Sequence, residues 1–136
     1  MPVIPPQRSE LRTNLNEGSV SCGFNPQAAQ ELQREISQLM QDIKAVAQST
    51  TGGGKRQAYK PMEYQYTGEV FLEIFCNPNI YATPFAAQVL ITLRDDRIRL
   101  TTETQLTTLV EDINSYLGQW TVSSEQVTRL TVSLSK

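Results

Sequence analysis

Arg94, Arg97 and Arg99 place three positive charges within six residues. Guanidinium forks bind carboxylates and phosphates in bidentate fashion, so a patch of three suits an acidic partner or a phosphate backbone. The net charge of −2 means that no overall field draws polyanions to the molecule. No aromatic platform alternates with these arginines on their own hairpin, as binders of single-stranded nucleic acid require. Nucleic acid is therefore disfavoured as a partner. The plainer expectation is that Glu69 and Glu73, on the neighbouring strand, pair with the arginines, which also protect a sheet edge.

The sequence contains no histidine. That removes Ser-His-Asp and Cys-His nucleophiles, the usual imidazole base and Cys/His zinc sites. Two cysteines, Cys22 and Cys76, make no disulfide framework. Cys76 ends an apolar run and reads as a small buried hydrophobe, Cys22 as exposed and incidental. Glu111 and Asp112 fall off the apolar stripe of their helix and read as a solvated pair. Gly54-Lys55 imitates a phosphate loop, but Ser49 stands where a glycine is needed, Arg56 follows the lysine, and the order is helix then loop. No catalytic residue, metal site or cofactor is expected.

The elements that position the arginines are legible in outline. Gln88–Thr102 reads as a hairpin turning at Asp95-Asp96, which sets Arg94 against Arg97, Leu93 against Ile98 and Ile91 against Leu100. Val89, Ile91, Leu93, Ile98 and Leu100 then share one face, and the arginines take the other. Met62–Tyr66 reads as an edge strand. In the strand Glu69–Cys76, Val70, Leu72, Ile74 and Cys76 face one way and Phe71, Glu73 and Phe75 the other. The loop Ile80–Phe85 is apolar enough either to tuck under the sheet, the favoured reading, or to serve as a contact. A capping box at Thr102 and Gln105 opens a helix whose stripe is Leu106, Leu109, Val110, Ile113 and Leu117, closed by Gly118. Trp120 is read as capping the core. Val122–Lys136 fits a helix or a strand, and its Thr, Val and Ser content favours a strand.

Upstream, Asn25-Pro26 starts a long helix. Leu32, Ile36, Leu39, Ile43 and Val46 recur at spacings of four, three, four and three, with Met40 widening the ridge: a coiled-coil-like seam of about three heptads. Such a seam either covers its own sheet or docks on a partner. The triple glycine at 52–54 behind it has linker composition and tips the reading toward docking.

The expected fold is therefore α+β: a long N-terminal helix and an antiparallel sheet of three to four strands covered by a second amphipathic helix. Residues 1–24 form an extended or disordered leader, 25–49 the helix, 50–61 a glycine-rich linker and 62–136 the sheet domain. The expected function is a non-enzymatic protein-protein interaction module, an adaptor, assembly factor or small regulatory subunit. It presents Leu32, Ile36, Leu39, Met40, Ile43 and Val46 to a protein partner or a second copy, as in a homodimer. The alternative is an acidic or nucleic-acid partner at Arg94, Arg97 and Arg99. No apolar run is long enough to span a bilayer and no signal peptide is apparent, so the cytoplasm is the expected location.

Overall fold

A computed structural model describes residues 10–51 and 58–119. The expectations for residues 1–9, for the glycine linker at 52–57, for Trp120 and for the tail lie outside the described residues.

The chain is α+β: among the described residues there are two α-helices and two antiparallel sheets. Strands β1 (Glu10–Leu15) and β2 (Gly18–Gly23) pair as a hairpin, and helix α1 (Pro26–Thr51) follows. Strands β3 (Met62–Thr67), β4 (Phe71–Cys76), β5 (Gln88–Arg94) and β6 (Arg99–Gln105) form a meander in spatial order β3-β4-β5-β6. Helix α2 occupies residues 106–119.

The first hairpin corrects the expectation of an unstructured leader. Leu11, Thr13 and Leu15 alternate with polar residues, and Leu11 and Thr13 are buried. Gly18, at φ 153°, takes a backbone conformation that residues with side chains rarely adopt. The Asn16-Glu17 turn joins strands of six residues each, and the glycines flanking this stretch imitate disorder in composition alone.

Helix α1 starts as its residues dictate. Asn25 accepts the Ala28 N–H on Oδ1 at 2.8 Å, and its carbonyl accepts the Ala29 N–H at 3.0 Å. Its apolar ridge packs on the chain's own sheet. Leu32, Ile36, Leu39, Ile43 and Val46 are buried, Met40 is half-buried, and no second molecule is needed to shelter them. The Tyr64 hydroxyl, buried under the helix, donates to the Ala28 carbonyl at 3.2 Å.

Among the described residues the helices cover one side of the sheet. Across the strands, Tyr64, Ile74, Ile91 and Thr102 form one covered row, and Tyr66, Leu72, Leu93 and Leu100 form the next. Leu106, Leu109, Ile113 and Tyr116 of α2 join the same core as the α1 ridge. The opposite face carries Glu63, Phe75, Leu90 and Glu103 in one row and Thr67, Phe71, Arg94 and Arg99 in another.

The β5–β6 register differs from the expected one by two residues. Arg94 pairs with Arg99 and Leu93 with Leu100, leaving a connection of four residues, Asp95 to Ile98. Asp95 is the reason: its Oδ1 accepts the backbone N–H of both Arg97 and Ile98 at 2.8 Å, and its own N–H donates to the Ile98 carbonyl at 2.9 Å. A slip of two preserves the faces but moves Ile98 off the ladder into the turn. The strand also runs further than expected. β6 continues through Gln105, so Thr102 is a strand residue and not a helix cap, and α2 continues past Gly118 to residue 119.

Candidate interaction surface

The turn closing β5 and β6 brings charge and exposed apolar surface together. Ile98 is 67% exposed and Leu100 39%, although both were expected in the core. Leu100 does lie on the covered side of the sheet opposite Leu93, but the described parts of α1 and α2 leave it exposed. A hollow of about 190 Å³ opens there, lined by Val20, Ser21 and Cys22 of β2 on one side and by Leu93, Ile98 and Leu100 on the other. Its lining is predominantly apolar, completed by Val70 and by the oppositely charged Arg94 and Asp95.

The thiol in this hollow stays neutral. Burial, with a smaller contribution from the charge of Glu10, pushes Cys22 up to about 11, so it behaves as a small hydrophobe and not as a nucleophile. Cys22 is thus part of the surface, where it had been read as incidental. Cys76 is buried in the core, and burial likewise pushes it up to about 11.

The three arginines are all exposed. Arg94 and Arg99 are direct cross-strand neighbours, which places two like charges opposite one another, an arrangement unfavourable in a sheet. Their expected acidic partners are placed elsewhere. Glu73 lies opposite Thr92, and its Oε2 accepts the Gln65 side chain at 3.3 Å; Glu69 lies beside Gly23. Arg94 instead lays its guanidinium over the Phe71 ring, 4.3 Å from the centroid. Arg97 sits in the turn, where its backbone N–H helps to hold Asp95. Those backbone N–H groups keep the Asp95 carboxyl below the ordinary carboxylate range, so the turn remains closed by an ionised group.

Other surfaces offer less. A groove between α1 and α2, about 280 Å³, has Met40 and Val110 in its lining but is edged by Gln33, Arg34, Ser37 and Asn114. Of the six seam residues, only Met40 is more than marginally accessible. The loop before β5 is split. Pro84 is buried, and the Tyr81 hydroxyl donates to the Gln88 carbonyl at 3.2 Å, whereas Ile80 and Phe85 point outward at 64% and 80% exposure. Among the described residues no cluster of three or more Cys, Asp or Glu could hold a metal ion, and no helix is long and apolar enough to cross a membrane.

Asp112 is the polar residue that sequence reasoning misplaced. It is buried, with both carboxylate oxygens engaged by Asn14. Its position three residues after Leu109 and one before Ile113 sets it at the rim of the apolar stripe, the one local signal that it faces inward.

Comparison with known protein families, curated proteins and solved structures finds no match for this chain. What it can bind must be read from the surface itself.

Proposed function

We propose that the protein is a non-enzymatic protein-protein interaction module whose binding surface is the tip formed by the β5–β6 turn and β2. One observation carries the reading: Ile98 and Leu100, large and exposed, adjoin an apolar hollow beside the like-charged Arg94–Arg99 pair. Large apolar side chains left in water are costly to maintain in isolation, and a partner offering apolar surface relieves that cost; the like-charged Arg94 and Arg99 beside them favour a partner that also brings polar or acidic groups. This moves the binding surface away from the α1 seam, whose ridge is used internally.

The acidic-partner alternative merges with this reading, and a protein is favoured over nucleic acid. Phe71 is already covered by Arg94 and is not free to stack on a base, and Glu63, Glu73 and Glu103 share the open sheet face with Arg94 and Arg99. Two unpaired thiols suit a cytoplasmic setting.

The test is affinity capture from cells of the source organism, with the wild-type chain and an Ile98→Lys/Leu100→Lys double variant as baits. Partners held by the wild type and lost from the double variant support the reading. Identical captured sets from both baits overturn it. Retention on a polyanionic resin that falls steeply with salt and vanishes on Arg94→Ser/Arg97→Ser/Arg99→Ser would favour nucleic acid instead.

A further inference from the structure

The face of the four-stranded sheet turned away from the helices carries its charges in two opposed rows. Glu63, Phe75, Leu90 and Glu103 lie side by side across β3 to β6. Four residues further along the strands, Thr67, Phe71, Arg94 and Arg99 do the same, and Gln65, Glu73, Thr92 and Thr101 run between the two rows. Phe71 and Phe75 belong neither to the core nor to the partly buried apolar residues packed on it, and Leu90 is 36% exposed. The first row bears two carboxylates and the second two guanidiniums. No charge in either row has its opposite as register partner: Glu63 stands beside Phe75, Glu103 beside Leu90, and Arg99 beside Arg94.

Such a face complements a copy of itself. Sheets pack face to face about 10 Å apart with their strands nearly aligned, and a closed pair of identical faces is related by a two-fold axis. Two axes lying between the sheets keep the strands aligned. An axis parallel to the strands lays β3 on β6 of the second copy and sets Glu63 against Glu103, acid against acid. An axis along the middle row lays each strand on its own counterpart, running the other way, and so lays the first row on the second. Glu103 then meets the second copy's Arg99, Phe75 meets its Phe71, and Leu90 meets the stem of its Arg94, each contact occurring twice. Charge selects this second axis. Glu73 falls on it, near its own counterpart, but its Oε2 accepts the Gln65 side chain at 3.3 Å, and the second copy's Arg94 arrives diagonally beside it.

We propose that the protein forms a two-fold homodimer through this sheet face, with Phe71 and Phe75 of both copies packed together and reciprocal Arg99–Glu103 ion pairs along β6. The aromatic contacts supply affinity, and the ion pairs set the register. The outer rows are about 13 Å apart and the outer strands about 14 Å, a small face for an interface, so the dissociation constant is tens to hundreds of micromolar. The contact is separate from the tip: Leu100 lies on the other side of the sheet, and Ile98 lines the hollow there, so the dimer presents two tips to their partners.

The test is sedimentation equilibrium of the full chain over a concentration series reaching about 1 mM at low salt. A monomer–dimer equilibrium is expected. Arg99→Glu and Glu103→Arg should each weaken it at least about tenfold, because each sets like charges against one another at two places. Mixed in equal amounts, the two variants should form a heterodimer of roughly wild-type affinity, since one brings two acids and the other two arginines to the same contacts. Damage to the fold by either substitution would not be cured by mixing. Phe75→Ser should abolish the dimer while leaving the circular dichroism spectrum unchanged. Ile98→Lys/Leu100→Lys strikes the tip alone and should dimerise as the wild type does.

A monomer throughout the series overturns the proposal, as does a dimer that neither charge reversal weakens or that mixing fails to restore. A dimer lost in the Ile98→Lys/Leu100→Lys variant and kept in Phe75→Ser places the contact at the tip and overturns it likewise. A monomer that dimerises only once residues 1–9 or 120–136 are removed assigns the face to an end of its own chain. A monomer whose Phe75→Ser variant loses a protein in the cellular capture assigns it to a different protein. Each of these four results leaves the tip to be judged by its own capture experiment.

Discussion

Asn14 donates both its backbone N–H and its side-chain amide to Asp112, at 2.7 Å each, across 98 residues of chain. The Asn14 carbonyl in turn accepts the Thr104 hydroxyl at 2.9 Å. One residue of β1 thereby ties the first hairpin to α2 and to β6. The same bonds fix which edge of β1 faces α2 and β6, and the other edge carries β2.

Removing this anchor should cost more than an average surface change. Asp112→Ala leaves the Asn14 N–H without its acceptor in a partly buried site and breaks two charge-assisted bonds, a loss of about 2–4 kcal/mol. Urea unfolding of wild type, Asp112→Ala, Asn14→Ala and the double variant checks it. The double variant should be less destabilised than the sum of the singles, because the two residues act as one unit.

The α1 ridge behaves as core. Leu32→Ala and Ile43→Ala, both at fully buried positions, should each destabilise by about 2–5 kcal/mol. Met40→Ala, at a half-buried position, should cost clearly less. A docking arm would predict the opposite pattern, with little change in folding and a loss of association. Chemical denaturation and sedimentation on the same samples separate the two.

The Arg94–Arg99 pair predicts a gain. Arg99→Glu converts a like-charged cross-strand pair into an opposite one and should stabilise the fold by about 0.2–1 kcal/mol. The gain should shrink in high salt, because the site is exposed. Under the proposed function the same change weakens partner capture, so stability and binding move in opposite directions.

Alkaline pH should loosen the fold. Burial pushes Cys22 and Cys76 from 9.0 to about 11, and burial above all, followed by the charges of Glu31 and Glu35, raises Tyr64 further. Groups raised in the folded state favour it fully below their unfolded value, and that contribution is lost as pH climbs through the folded value. Urea midpoints should therefore hold steady up to about pH 9 and fall between pH 9 and 11. Cys76→Ala should flatten part of that slope. Within the steady range both thiols should react slowly with a disulfide reagent until denaturant is added.

The sequence by itself determined the α+β class, the long helix capped by Asn25 and the inward set Leu72, Ile74, Val89, Ile91 and Leu93. Each follows from a local period or a local cap: 3.6 residues for a helix, two for a strand, a side-chain oxygen for the first free N–H groups. Three other features were settled only by tertiary structure. The first hairpin hides in a stretch rich in Gly, Ser and Asn, whose strands are stabilised by contact with Asp112 and Thr104 about ninety or more residues away. The α1 seam has a spacing that serves a partner and a sheet equally well, so period alone cannot say which one covers it. Ile98 and Leu100 were placed in the core by alternation, yet alternation assigns a face and not whether anything covers it. Asp95 moved the turn by two residues, and an expected piece of core, Ile98 and Leu100, is left exposed among the described residues.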